Sequence, residues 1–391
     1  MKKRIIALLL MCVMTTGLLL ACKNNDDKKE GEGDTIKIGG LAPLSGELSS
    51  YGNAANNGIL LAVKEVNEAG GINGKQIEYI PYDEKGDATE ACNAYAKLVD
   101  EKEVVAIIGD VTTNPSIAVA QKSQEDNIPI ITATGTGKAI TEAGPNVFRA
   151  CFLDPFQGQT MASYAAKKLN AKTAAILYNT DDDYSTGLTE AFEEEAKANG
   201  LDVVIKEGYS KGTVDFSSQL TNIAAKNADV FFIPVYYEDV AKIAPAAKNA
   251  GINSKLLGAD GWDGVIDKLD ESNYDSVSNI FFCNHYAAER IQDFIKKYTE
   301  EYNSAPASFA ALGYDAAMIM INAIKNAGST DSAAIIEQLN KTNYSGLTGD
   351  ITFDSERNPI KTAFITSIAV TPAQGEEKAK AEYKFIEVYS K

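Results

Sequence analysis

One histidine and one tryptophan occur in 391 residues. A lone His285 rules out a His-rich metal centre, and the five cysteines do not fall at zinc-ligand spacings. Neither a metal nor a cofactor is expected. Basic residues are also scarce: 37 Lys and Arg stand against 54 Asp and Glu, a formal net charge of −17. Binding to phosphate backbones needs a basic face, so nucleic acid is excluded as a partner. The chain has no Gly-x-Ser-x-Gly elbow, no Walker-type loop and no Gly-x-Gly-x-x-Gly turn after a strand. An enzyme is therefore not expected, and the acids of Asp181-Asp182-Asp183 read as a solvated loop.

Long apolar runs are confined to one place. Lys2, Lys3 and Arg4 precede an uncharged, mostly apolar stretch of 17 residues from Ile5 to Ala21. That length is at the short edge for a membrane span, and the flanks suit an export signal. The stretch ends Leu19-Leu20-Ala21-Cys22, which resembles the lipobox of bacterial lipoproteins, in which the cysteine carries the lipid. Leu20 stands where a small residue is commoner, and an ordinary signal peptide or membrane anchor is the alternative. Residues 1–21 are thus read as a signal peptide. Residues 22–34 hold no apolar side chain beyond Cys22 and read as a lipidated flexible tether. Cys92, Cys151 and Cys283 remain, an odd number, and are expected to be small buried residues without a disulfide framework.

A chain of this length suits two lobes better than one core. From Ile36 onward, strand and helix patterns alternate. Strands are expected at Ile36 to Leu41, Gln76 to Tyr82, Val104 to Ile108, Ile128 to Ile131 and Val147 to Arg149. Helices are expected at Asn53 to Ala69, from Asp87 as N-cap, and from Asn114-Pro115 to Asp126. A second series begins at Pro155 and runs through strands near residues 174–178, 203–206, 230–234 and 255–258. The third part has two long helical faces, a short helix at Ser332 to Leu339 and strands near 349–353, 362–370 and 383–388. This order implies an α/β fold of two lobes, each a parallel sheet with helices on both faces, joined by a multi-strand hinge. Residues 35–150 with about 285–362 form the expected first lobe, and 151–284 with about 363–391 the second. Ligands of such sheets bind outside the C-terminal strand ends, here the cleft between lobes.

The stretch from Ala106 to Thr136 carries the chemistry. Two apolar strands each run into a turn of small hydroxyl residues, Thr112-Thr113 and Thr132-Ala-Thr-Gly-Thr136. The first turn opens a helix, whose free N–H groups favour an anion. With no Lys or Arg in the turn, one carboxylate fits better than a phosphate cluster. Polar loops capping two helices are the plainer alternative.

At this point the sequence resembles the extracytoplasmic substrate-binding proteins of branched-chain amino acid ABC transporters, of the leucine/isoleucine/valine-binding type. The resemblance spans nearly all of the chain after the tether. It rests on Gly39 to Gly46 with Tyr51-Gly52, Asn73-Gly74-Lys75, Tyr82-Asp83, Ile108-Gly109, Phe148-Arg149 with Asp154-Pro155-Phe156-Gln157-Gly158, Gly258 to Trp262, and Leu312-Gly-Tyr-Asp315, in that order. It implies the type I periplasmic binding protein fold and a set of substrate-binding residues. Thr113 falls where a hydroxyl holds the ligand carboxylate, Thr134 where a backbone group assists, and Thr136 where a hydroxyl and a carbonyl receive the ammonium. Tyr184 and Tyr236 match aromatics of the second lobe that close over the ligand, although Tyr237 could take the second place. Asp260 matches an acid that pairs with the ammonium, and Tyr51 an aromatic of the side-chain pocket. Trp262 and His285 are read as packing residues. Some relatives have a disulfide near the carboxylate turn; Thr112 stands at one of its positions, so Cys92 is expected to be a free thiol.

The implied function is to bind a small neutral amino acid, a branched-chain aliphatic one, and deliver it to an ABC permease and ATPase. The protein would be a monomer outside the cytoplasm, held to the cell membrane by lipid on Cys22. A carrier of another amino acid, an amide or urea, or a ligand-sensing ectodomain, are the competing readings.

Overall fold

A computed structural model describes residues 35–374 and 378–389. The expected signal peptide, Cys22 and the tether lie outside the described residues.

The first part alternates as the apolar runs predict. Ile36–Ala42 is β1, Ser49–Glu68 α1, Ile77–Asp83 β2 and Ala88–Ala96 α2. Ala106–Ile108 is β3, Thr113–Asp126 α3, Ile130–Thr132 β4, Ala139–Glu142 α4 and Val147–Arg149 β5. The five strands form one parallel sheet in the order β2-β1-β3-β4-β5. Strands β3, β4 and β5 are buried along their whole length, and β3, Ala-Ile-Ile, is accordingly apolar throughout rather than alternating.

A second series follows. Asp154–Lys167 is α5, Thr173–Asn179 β6, Asp183–Ala198 α6, Asp202–Tyr209 β7, Ser217–Ala224 α7, Val230–Phe232 β8, Tyr237–Asn249 α8, Lys255–Gly258 β9 and Ile280–Asn284 β10. The last part holds α9 (Gln292–Tyr302), α10 (Ser308–Ala327), α11 (Ser332–Leu339), β11 (Asn343–Gly346), β12 (Gly349–Thr352), β13 (Ala363–Thr371) and β14 (Lys380–Tyr389). The second sheet has the order β14-β13-β10-β9-β8-β6-β7. Five of its strands are parallel, while β13 runs antiparallel to both β10 and β14, so the final hairpin makes this sheet mixed. Strand β10, Ile-Phe-Phe-Cys-Asn, is not among the expected strands. It follows three short 3-10 turns whose sequence shows no periodicity.

The chain passes between the two sheets three times: after β5, after β10 and before β13. Between the last two passages it returns to the first lobe, where α10 lies along α1. The expected face of α10, Phe309, Leu312, Ala316, Ile319, Met320 and Ala323, is buried. The helices cross closely because Gly313 faces α1; a Cβ there would lie 2.2 Å from the Ala55 carbonyl oxygen.

One charged cluster fastens two of these passages. Asp315, fully buried on α10, accepts from the N–H groups of Leu347 and Thr348 at 2.8 Å and from the Thr348 hydroxyl at 2.7 Å. Lys361, just before β13, donates to the Ala150 carbonyl at 3.1 Å and to Thr348 Oγ1 at 2.5 Å. Burial pulls its ammonium down to about 8, against the opposing pull of Asp315. Removing Asp315 leaves the N–H groups of Leu347 and Thr348 and the Thr348 hydroxyl without their acceptor, and the Lys361 ammonium without its countercharge. Asp315→Ala is therefore expected to lose about 3–5 kcal/mol of stability, the range for breaking a buried charge pair. A lower urea midpoint at unchanged slope would register it.

Candidate functional site

The sheet order brings the two hydroxyl turns side by side, because β3 and β4 are neighbours and both turns leave their C-terminal ends. Helix α3 begins at Thr113, with Thr112 as its cap residue, two positions before the start predicted at Asn114-Pro115. Pro115 still lies in the first turn, where an N–H has no intrahelical acceptor to lose. The second turn packs directly on the first. A Cβ on Gly137 would lie 2.4 Å from the Thr113 methyl, so only glycine permits this approach.

Arg149 fixes the second turn from below. Its guanidinium is fully buried and donates to the carbonyls of Gly135 at 2.8 Å and Gly137 at 2.7 Å. It also donates to Asn358 Oδ1 at 2.6 Å and Thr141 Oγ1 at 3.3 Å. The Thr132 hydroxyl donates to the Asp110 carbonyl, and the Thr134 hydroxyl to that of Val111, both at 2.6 Å. These bonds stitch the two turns into one surface.

Across the cleft stand residues of the second lobe. Thr113, Thr134, Thr136, Tyr184, Tyr236 and Asp260 line one small cavity together with Val111, Thr112 and Phe309. Tyr236 is partly exposed; the other eight are buried. Thr112 and Tyr236 also border a larger opening at the mouth of the cleft. Tyr51 does not line the small cavity. It lies behind Phe309, ring centroids 4.6 Å apart, and its hydroxyl bonds to the Gly261 carbonyl across the cleft. Of the two adjacent tyrosines, Tyr236 faces the cavity, while the Tyr237 hydroxyl donates to the Glu47 carbonyl at 2.6 Å.

The cavity has two electrical poles. At one end, the hydroxyls of Thr112 and Thr113 are buried without a hydrogen-bond partner at the start of α3, where the side chain of the cap residue makes no bond to the helix. Such orphans are rare in folded proteins and call for a ligand or water. At the other end is Asp260. Its carboxylate accepts from the Tyr184 hydroxyl at 2.8 Å and from the Gln157 amide at 3.0 Å, and His285 Nε2 lies 2.9 Å from its second oxygen. His285 is stacked on Phe152 and fully buried; burial lowers its pKa, against the raising effect of Asp260.

A second carboxyl stands nearby. Asp154, the first residue of α5, is buried, and its Oδ2 has no partner. The Gln157 amide bridges the two acids, 3.4 Å from Asp154 and 3.0 Å from Asp260. Burial, then the charge of Asp260, push the Asp154 carboxyl well above the usual carboxylate range. The Asp154 N–H donates to the Thr136 carbonyl at 3.0 Å, which ties this pole to the hydroxyl turn. Sequence reasoning assigned Asp154 and Gln157 no role at the site, since an acid before a proline reads as a helix start. His285, expected as packing, supports Asp260 directly. Trp262 is core: buried, it donates to the Ile233 carbonyl at 2.8 Å. Asn114, expected as a helix cap, instead spans the mouth, its Oδ1 accepting from the Asp183 N–H at 3.1 Å. Cys92, Cys151 and Cys283 are free thiols, the last two buried.

The sequence profile described as periplasmic binding protein matches residues 35–374. A leucine-, isoleucine-, valine-, threonine- and alanine-binding protein of Pseudomonas aeruginosa is 25% identical over 83% of this chain and 87% of its own. The leucine-binding protein LivK of Thermotoga maritima superposes with a TM-score of 0.82 at 31% identity, covering 90% of this chain and 98% of its own. The branched-chain amino acid transporter substrate-binding protein LivJ of Streptococcus pneumoniae, solved with isoleucine, superposes with a TM-score of 0.80 at 32% identity, over 90% of this chain and all of its own. With its two α/β lobes closing on a bipolar cavity, the chain belongs to the periplasmic binding protein family, whose members bind solutes and are not enzymes.

Proposed function

We propose that this protein binds a small neutral amino acid with an aliphatic side chain and presents it to an ABC permease. The observation that carries this reading is the bipolar cavity. A zwitterion brings two opposite charges a few ångströms apart, and both must be met when water leaves. The orphan hydroxyls of Thr112 and Thr113 at the α3 N-terminus suit the carboxylate. Asp260, backed by Asp154, suits the ammonium through a charge-assisted bond. No Lys or Arg lines the cavity, and Val111 and Phe309 give its wall an apolar stretch, which suits an uncharged side chain. The similarity to LivK and LivJ supports the same ligand class.

Closure follows from contacts that only the closed form can make. Tyr51, Tyr237 and Asn114 each bond across the cleft. A ligand touching both lobes adds to these and shifts the population toward closure.

The test is calorimetry against the common amino acids. Leucine, isoleucine or valine is expected to bind, and silence across the whole set would remove the reading. Asp260→Asn keeps the volume but removes the charge; it is expected to weaken binding by about 2–5 kcal/mol, the range for one member of a buried charged pair. Asn114→Ala removes the bond from the Asp183 N–H at the mouth, together with a long one, 3.5 Å, from Asn114 Nδ2 to the Asp181 carbonyl. Affinity should fall by about 0.5–1.5 kcal/mol, appearing in stopped flow as faster dissociation, with unfolding of the free protein unchanged. We also propose that lipid on Cys22 holds the protein to the membrane. Cys22→Ser is expected to move it to the soluble fraction after cell fractionation; retention in the membrane would argue for an uncleaved anchor.

A further inference from the structure

Behind the carboxylate pole lies a pair of acids that the site does not use. Glu84 follows β2, and Asp110 follows β3; both are buried, at 0% and 1% exposure. Glu84 Oε2 accepts from the N–H groups of Gly86 at 2.8 Å and Asp87 at 3.1 Å, and Asp110 Oδ1 accepts from the Val111 N–H. The remaining oxygens, Glu84 Oε1 and Asp110 Oδ2, have no donor from the protein. The two side chains are close neighbours, and the charge of Asp110 acts on Glu84. Two ionised carboxylates could not satisfy those oxygens for one another, because each is an acceptor only.

We propose that Glu84 and Asp110 share one proton, and that this proton holds the carboxylate-binding turn in place. The inference rests on the amino-acid reading of the site only for its effect on affinity. The shared proton ties the turn Glu84–Asp87, which caps α2, to the turn Asp110–Thr113, which offers its hydroxyls to the ligand. Losing it places two like charges in a buried site directly beneath the anion pole.

The charged groups around the pair face elsewhere. Asp83 accepts from the N–H groups of Leu44 and Ser45, Asp87 caps its own helix through Thr89 and Glu90, and Lys85 is on the exposed side of the turn. From β4 comes only the Thr132 hydroxyl, on the Asp110 carbonyl, and from α3 the neutral Thr112 and Thr113. Burial, with the charge of Asp110, pushes Glu84 up to about 9, and burial raises Asp110 as well. A ligand carboxylate adds a further negative charge, so the bound state holds the proton more tightly than the free state. Affinity is then full at neutral pH and is lost as pH rises through the pKa of the free protein.

The experiment has two arms. Carbon NMR of the side-chain carboxyls, on ligand-free protein, should show one proton retained by the pair at neutral pH and lost on alkaline titration. Leucine affinity by calorimetry should fall between about pH 7 and about pH 10, by at most about tenfold per pH unit for one linked proton. Glu84→Gln supplies a permanent N–H donor to Asp110, so it should match the wild type at neutral pH and lose less affinity on alkalinisation. The leucine ammonium titrates equally with both proteins and cancels in their ratio. Two ionised carboxyls at neutral pH, or identical losses in both proteins, would overturn the proposal. Failure of leucine and every other amino acid to bind at neutral pH would instead sink the amino-acid reading, with the NMR titration still deciding whether the proton is shared.

Discussion

The guanidinium of Arg149 is the constraint on which the site depends. It sits at the end of β5, fully buried, where a charge is tolerated only if its donors are met. Gly135, Gly137, Thr141 and Asn358 meet them. Two of those acceptors are the backbone of the hydroxyl turn. The turn therefore cannot move without exposing a buried cation to an apolar surround. Asn358 is itself anchored, accepting from the Thr141 hydroxyl at 3.0 Å, and it lies on the chain's last passage between lobes. Ligand turn and hinge are in this way one structural unit, with Lys361 and Asp315 at its far end.

The two lobes contribute unlike chemistry. The first supplies neutral groups at a helix start and the second supplies acids and aromatics. Tyr184 and Tyr236 stack at 4.6 Å, nearly parallel, and the Tyr184 hydroxyl both donates to Asp260 and accepts from the Gly261 N–H at 2.8 Å. The aromatic wall and the charged pole are thus a single rigid assembly. Neither lobe alone satisfies a zwitterion, which is the physical reason for the cleft. Among the described residues, the buried polar atoms without partners include those of Thr112, Thr113 and Asp154, which border this cavity or lie beside it.

Much of the fold was legible from periodicity. The continuous apolar runs of β3 and β8 announce strands covered on both faces, and Asp87 announces the start of α2, where its side chain accepts from Thr89 and Glu90. What escaped is where local pattern carries no information. Strand β10 follows three short 3-10 turns instead of a helix, so the alternation of strand and helix does not announce it, and β13 and β14 pair antiparallel because the chain returns to the second sheet from its far edge. The start of α3 came two residues early because Asn114 bonds across the cleft instead of capping its own helix.

At the site, the sequence by itself determined the types of group available: hydroxyls after two strands, an acid in a glycine-rich turn, aromatics at the starts of second-lobe helices, and no cation among them. It also determined that two lobes were needed, since one core cannot absorb this chain. Only the tertiary structure decided which groups face each other. It set Tyr51 behind Phe309 rather than in the cavity, brought Asp154 and His285 beside Asp260, and placed Glu84 near Asp110, 26 positions away in sequence. Helix and strand patterns record which side of an element is buried. They do not record which buried polar group meets which, because that depends on the order of strands in the sheet and the path of the chain between lobes.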